Sequence, residues 1–328
     1  MNAPSPPAQV FVVGMNGSGT TMLRDHLANH SWIYGFPAET RSLPYFIERQ
    51  QEYGNLNDEH NFGRLWKDLK KSVSKRADLL PETLPLPDVS DRSPAGTFDH
   101  IMRHLARAHG KRIWCEKTPM YVHHLTLLGK AFPHARFIHI IRDGRSCAAS
   151  FHRRWKFNPV RTVARWKQAV REGRRQGHLL GDRYLEIRYE ALTEQPEAAF
   201  VELLEFLDLP FENAVLTSSR SNADPATSHS PNVVQNSAKA GDYFDRDTLE
   251  SLESVAGRLL TELGYECSNK TGDRDPPGWQ LEWWRKTDDI RRFVNMALAH
   301  GRILQPSRWR YIAVRTRNAL KQRATSKW

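Results

Sequence analysis

Four consecutive apolar residues, Val10-Phe11-Val12-Val13, run straight into Gly14-Met15-Asn16-Gly17-Ser18-Gly19-Thr20-Thr21. A short run with no polar residue in its alternation reads as a strand buried on both faces, which calls for a parallel sheet with helices above and below. Met22, Leu23 and Leu27 then recur at helical spacing, so the unit is strand, glycine-rich loop, helix. Glycines let the backbone fold back until successive N–H groups point into one hollow, and the helix N-terminus adds partial positive charge. Such a hollow suits a phosphate or sulfate, with Ser18, Thr20 and Thr21 adding hydroxyl donors. Gly14 and Gly19 keep the G-x-x-x-x-G spacing of a triphosphate-binding loop, but Thr20-Thr21 follows where that loop has Lys-Ser/Thr. The missing lysine is the one that reaches β- and γ-phosphates, and no hydrophobic strand ending in Asp offers a magnesium site. A nucleoside triphosphate is disfavoured; an anion of lower charge, needing no metal, fits. Taken alone, the loop fits an ordinary tight strand–helix turn equally well.

Further strands and helices alternate along the chain. Ile113-Trp114-Cys115 is a short apolar piece before Glu116-Lys117-Thr118-Pro119, and a helix is expected over Tyr121 to Phe132. Arg136 to Ile141 is the clearest strand; it runs into Arg142-Asp143-Gly144 and a helix from Ser146 to Trp155. Tyr184 to Ile187 is a third strand of this kind, with a helix from Pro196 through Leu207. The expected fold is therefore α/β, a P-loop-like three-layer arrangement with a central parallel sheet flanked by helices. Residues 1–8 form a Pro-rich leader, 9–268 the main domain and 269–328 a basic helical extension. Within the domain, the polar, Pro-interrupted stretch 47–112 reads as an insertion on the acceptor side, with a helix near Phe98 to Ala108. Residues 217–242 are Ser/Asn/Pro-rich loop, and Leu249 to Leu263 is an amphipathic helix.

Arg142 stands at the C-terminal end of its strand, where parallel α/β sheets bind ligands. Ser150, eight residues on, lies about two helical turns in, so both can face one ligand. A guanidinium fork with a hydroxyl makes a sound phosphate clamp; a surface ion pair and a packed serine are the plainer alternative. As a set, the early strand–Ser-Gly-Thr-Thr loop and the later strand–Arg-x7-Ser resemble the sulfotransferases that use 3′-phosphoadenosine 5′-phosphosulfate. That resemblance implies that Asn16, Gly17, Ser18, Gly19, Thr20 and Thr21 hold the 5′-phosphosulfate, and Arg142 and Ser150 the 3′-phosphate. Arg188-Tyr189-Glu190-Ala191-Leu192 resembles the family's Tyr-Glu-Asp-Leu segment, which places Tyr189 by the adenine. Ala240-Gly241-Asp242-Tyr243 resembles its late Gly-Asp-Trp segment and makes Lys239 a ligand.

The resemblance also assigns the chemistry. Sulfuryl transfer needs a base for the acceptor hydroxyl and compensation for charge on the sulfuryl and leaving oxygens. Glu39, in Glu39-Thr40-Arg41, resembles the general base of tyrosylprotein sulfotransferases; a solvated carboxylate paired with Arg41 is the plainer alternative. Lys117, in Glu116-Lys117-Thr118-Pro119-Met120-Tyr121, resembles the lysine of heparan-type glycan sulfotransferases that faces the reacting sulfate. His26 and His30 are reserve bases, otherwise helix-surface residues. One position departs from the pattern: the family's basic residue before Ser-Gly-Thr is here Gly17, so a positive charge is missing from the reaction centre.

Net charge bears on partners. Lys+Arg 48 against Asp+Glu 37 leaves +11. Twelve basic and three acidic residues lie between Pro276 and Trp328, so that nearly the whole imbalance sits in this extension. Its tryptophans and arginines suit a membrane surface or an acidic polymer as well as a helix packed on the core; no recognition motif supports nucleic acid. Three cysteines, Cys115, Cys147 and Cys267, without CxxC spacing fit a reducing compartment. With no signal-peptide pattern, the expectation is cytoplasmic, with contact at the inner membrane surface as one role for the extension. The reading is a sulfotransferase acting on a hydroxyl of a carbohydrate or glycolipid, with no metal. A small-molecule P-loop kinase and a non-catalytic anion-binding protein are its rivals.

Overall fold

The computed structural model describes residues 7–77, 84–217 and 240–299. Five parallel strands form its sheet: β1 (Gln9–Gly14), β2 (Ile33–Gly35), β3 (Ile113–Lys117), β4 (Arg136–Ile141) and β5 (Tyr184–Arg188), in the order β2-β3-β1-β4-β5. β1 lies in the middle, with Val12 opposite Lys117 on one side and Gly14 opposite Ile140 on the other. Phe11 and Val13 enter one apolar cluster with Trp114, Phe137 and Ile141. Val10 and Val12 enter a second cluster with Ile113, Cys115, Ile138 and Ile140. Burial on both faces is why β1 shows no polar alternation, and each such side chain contributes about 1.5–3 kcal/mol over exposure.

α1 (Thr20–Leu27) covers the second cluster together with α8 (Tyr189–Glu194) and α9 (Pro196–Phe206), through Leu23, Leu192 and Phe200. The opposite face carries α2 (Leu43–Glu48), α3 (Glu59–Ala77), α4 (Pro94–Ala108), α5 (Leu125–Ala131), α6 (Gly144–Trp155), α7 (Pro159–Gly177) and α10 (Arg246–Glu262). α11 (Gly278–Ala299) docks on this layer through buried Asp288, which accepts from Arg161 Nη1 at 2.7 Å and from the Asn158 N–H at 2.9 Å. Its opposite side exposes Trp279 and Trp283. The described part of the extension is thus packed on the core along one face.

The architecture is the expected one, with local differences. β3 extends through Glu116 and Lys117, because Lys117 still pairs with β1. The segment expected as one helix from Tyr121 breaks into a 3₁₀ turn, Pro119–His123, and then α5, with His124 between them in a non-helical conformation. β2 and α7 went unread: β2 has three residues, and α7 is rich in Arg and Lys although it buries Val163, Trp166 and Val170. Residues 47–112 are more than a polar insertion. Leu65, Trp66, Leu69 and Val73 recur at helical spacing on α3 and are buried in the main core. No helix among the described residues is long and apolar enough to cross a membrane. Lys239 and residues 300–328 lie outside the described residues.

Candidate active site

β1, β3 and β4 bring their carboxyl ends to one edge of the sheet. The loop after β1 turns on two glycines in the left-handed region. Gly17 has φ +89, and a Cβ there would lie 2.9 Å from the Phe151 ring. Gly19 has φ +97, and its Cβ would lie 2.4 Å from Tyr189. The position where the family pattern carries a basic side chain is therefore one where this fold leaves no room for any side chain. Buried Ser18 gives its N–H to the Met15 carbonyl at 3.0 Å, and its Oγ lies 3.6 Å from Cys147 Sγ. α1 begins at Thr20 with no side-chain cap and no acidic residue in its first turn. Its leading N–H groups and dipole are left for a ligand to satisfy. Asn16 adds a buried Oδ1 with no partner among the described residues.

Arg142 leaves the end of β4 and reaches back over this loop. Its Nη1 donates to the Gly17 carbonyl at 3.2 Å, and its guanidinium carbon lies 4.3 Å from the centre of the Tyr189 ring. Neither contact neutralises its charge, and its buried Nε has no partner among the described residues. The arginine is held in place with no carboxylate paired to it among the described residues. Ser150 is half-buried on α6, three residues beyond Cys147 and so on the same side of that helix. Tyr189 is buried between Gly19 and Arg142. The neighbouring Glu190 went unread: its Oε1 accepts from the Asp143 N–H at 3.1 Å and its Oε2 from the Tyr265 hydroxyl at 2.9 Å. It ties α8 to the residue after Arg142. Its place beside Tyr189 in the Tyr-Glu segment, just past a strand end, was the signal for it.

At the end of β3, Lys117 is buried and its Nζ lies 2.8 Å from Glu39 Oε1. Arg41 holds the other oxygen, with Nε at 2.7 Å and Nη2 at 2.5 Å. Burial pushes the Glu39 carboxyl up, but the charges and hydrogen bonds of Lys117 and Arg41 outweigh it and hold the group below its ordinary range. Pairing with Arg41 and placement beside Lys117 are thus both realised. Asp25, also near Lys117, is pushed up by burial, with Arg24 acting against the shift.

The two reserve histidines are not surface residues. His26 and His30 are buried, with ring nitrogens 2.7 Å from the Val215 carbonyl and 3.1 Å from the Pro210 carbonyl. They pin α1 to the segment beyond α9 and take no part at the edge of the sheet. Burial pushes the thiols of Cys115 and Cys147 up to about 12, so neither is a nucleophile.

At that edge the loop after β1 offers N–H groups, β4 delivers Arg142 and β3 delivers Lys117, with Glu39 from the turn after β2 beside the lysine. The fold is an α/β arrangement of the P-loop-like class, with a parallel central sheet flanked by helices. The model of the sulfotransferase family matches residues 7–213, and the chain belongs to that family. A protein-tyrosine sulfotransferase 1 of Danio rerio is 28% identical over 214 residues, covering 63% of this chain and 55% of the relative. The protein-tyrosine sulfotransferase A of Caenorhabditis elegans is 25% identical over 303 residues, covering 86% of this chain and 73% of the relative. The chain thus spans about half the length of the first of these. Among solved structures, the sulfotransferase domain of the Synechococcus PCC 7002 olefin synthase superposes with a TM-score of 0.49 at 23% identity, over 78% of this chain and 98% of that one.

Proposed function

We propose that this chain transfers a sulfuryl group from 3′-phosphoadenosine 5′-phosphosulfate to a phenolic hydroxyl, with Glu39 as general base and Lys117 as electrostatic catalyst. The observation that carries this reading is the Glu39–Lys117 pair, 2.8 Å apart at the end of β3, beside the strand that bears the phosphate loop. The acceptor oxygen forms its bond to sulfur as its proton passes to Glu39. The electron pair of the breaking S–O bond goes to the leaving phosphate oxygen, whose developing charge the Lys117 ammonium offsets. Ser18, Gly19, Thr20 and Thr21 would hold the phosphosulfate at the α1 N-terminus. Arg142 and Ser150 would hold the 3′-phosphate, and Tyr189 would pack by the base. The unpartnered Asn16 Oδ1 and Arg142 Nε are polar atoms that a bound nucleotide, directly or through water, would satisfy.

A phenol replaces the glycan or glycolipid hydroxyl of the sequence reading for two reasons. The relatives above carry the name protein-tyrosine sulfotransferase. Glu39 is also a weak base, held below its ordinary range, and a phenol of pKa about 10 gives up its proton far more readily than a sugar alcohol. The test is two-part. Calorimetric titration with 3′,5′-adenosine bisphosphate, against ATP with magnesium, is expected to show bisphosphate binding that is lost in Arg142→Ala. Labelled donor is then offered to a tyrosine peptide, a simple phenol and a glycan panel. Preference for magnesium–ATP would put a kinase first; bisphosphate binding with no transfer to any hydroxyl would leave a binding protein.

A further inference from the structure

We propose that Glu116 is a positioning residue for the reaction: it fastens the turn that carries Glu39 to the strand that carries Lys117. The proposal rests on the roles given to Glu39 and Lys117 above. Glu116 and Lys117 are neighbours on β3 and point to opposite faces of the sheet, so Glu116 is out of reach of the donor. It is fully buried, and its Oε1 accepts three hydrogen bonds: from the Thr40 N–H at 3.1 Å, from Thr40 Oγ1 at 2.9 Å and from Thr118 Oγ1 at 2.5 Å.

Proton counting extends the clamp. Thr40 has one hydroxyl proton, and it goes to Glu116. Tyr121, whose Oη is 2.7 Å from Thr40 Oγ1, must then be the donor in that contact, which leaves its oxygen free to accept the Leu43 N–H at 3.1 Å. The Arg41 N–H reaches Thr118 Oγ1 at 3.4 Å. The backbone N–H groups of residues 40, 41 and 43 therefore end on Glu116 itself or on a hydroxyl chain leading to it.

Between Phe36, whose N–H makes a ladder-like bond to the Cys115 carbonyl, and α2, the chain has no regular secondary structure. Arg41 sits at φ +58, a conformation that bulky side chains seldom adopt and that persists where the surroundings dictate it. Glu39, one residue from the clamp, has little freedom to leave Lys117. Stability alone would not select this group. Oε2 of Glu116 is buried with no partner among the described residues, and a buried carboxylate without a close counter-charge is costly. Three donors converging on one oxygen are best served by a charged acceptor, which ties the choice of Glu to holding this turn.

The test uses the full chain, with Glu116→Gln and, as a second variant, Thr40→Val. Hydrogen exchange at the Thr40, Arg41 and Leu43 amides is expected to speed up at least tenfold in both, with the amides of β1 and β3 unchanged. In turnover, kcat is expected to fall tenfold or more, while the donor KM and bisphosphate affinity stay within twofold. Unchanged exchange in the segment overturns the clamp, as does loss of bisphosphate binding in both variants, which would mark a general structural role. If Glu116→Gln does not fold, Thr40→Val decides alone. If Glu39→Gln retains turnover, the base assignment fails, while the exchange data still decide whether Glu116 holds the turn.

Discussion

The Lys117 ammonium lies 2.8 Å from one oxygen of Glu39, and Arg41 holds the other, so the resting site pairs its proton acceptor with its cation. On the proposed mechanism, with no loop cation at Gly17, a bound sulfuryl group and Glu39 would compete for the same lysine. The donor's arrival would draw Lys117 toward the sulfate and make Glu39 more basic.

Glu39→Gln keeps the shape of the side chain and removes the base. It is expected to lower kcat by about 10²–10⁴-fold, the range for a positioned general base. Bisphosphate affinity is expected to stay as in the wild type, because the proposed mechanism puts Glu39 on the acceptor side. A variant that turns over at the wild-type rate would remove Glu39 from the mechanism. Lys117→Ala is expected to lower kcat as well and to raise the Glu39 pKa, since one of its two paired counter-charges is gone.

Arg142→Ala removes a charged side chain whose position is fixed by the Gly17 carbonyl and the Tyr189 ring. Bisphosphate affinity is expected to drop by about 1.5–3 kcal/mol, the value of hydrogen bonds to a charged group. Arg142→Lys is expected to recover little, because an ammonium neither stacks on the tyrosine nor spans two acceptors. Calorimetry on the two variants checks both statements, and full recovery by lysine would reduce Arg142 to a point charge.

Gly17→Arg restores the charge of the family pattern, yet it is expected to weaken bisphosphate binding and turnover together. At φ +89, with Phe151 2.9 Å from the new Cβ, the loop must distort. Adding Phe151→Ala makes room, and the double variant is expected to recover affinity relative to Gly17→Arg alone. A gain in kcat from the single variant would mean that the loop tolerates the side chain and that the missing charge limits the rate.

Much of this was legible in the chain because the signals were local. A strand buried on both faces carries no polar alternation, and β1 has none; a loop that folds around an anion needs glycine, and its glycines stand in the sequence. Arg142 could be placed because strand ends are where the sheet delivers side chains, and Lys117 because its Glu-Lys-Thr-Pro segment resembles that of the family. The unread parts depend on partners distant in the chain. α7 reads as polar because its many Arg and Lys residues mask the stripe of Val163, Trp166 and Val170. His26 and His30 look like surface residues until the segment near Val215 covers them. The clamp on Thr40 joins residues separated by 76 positions, and no local pattern announces it.

Glu116 also makes stability and turnover run in opposite directions with pH. Burial raises its carboxyl from 4.5 to about 7, against the Thr118 and Thr40 hydrogen bonds and the charge of Lys117. The unfolded chain loses this proton near 4.5 while the folded protein keeps it to about 7. Over that window the folded state binds more protons, so this group's contribution to stability falls as pH rises and levels off above it. The clamp behaves the other way, because Thr40, Thr118 and the Thr40 N–H all donate to a carboxylate and are best received when it is charged. In the free protein Glu39 is held below its ordinary 4.5, so it gives no limb near neutrality in kcat/KM, which reports groups of the free enzyme. Wild-type kcat/KM is therefore expected to rise with pH up to about 7, and Glu116→Gln to be slow and flat over the same range. In thermal unfolding, the variant is expected to gain on the wild type from pH 5 to pH 7, because it has no charge to bury in that interval. Parallel pH profiles for the two proteins, in rate and in melting temperature, would show that Glu116 does not titrate in the fold.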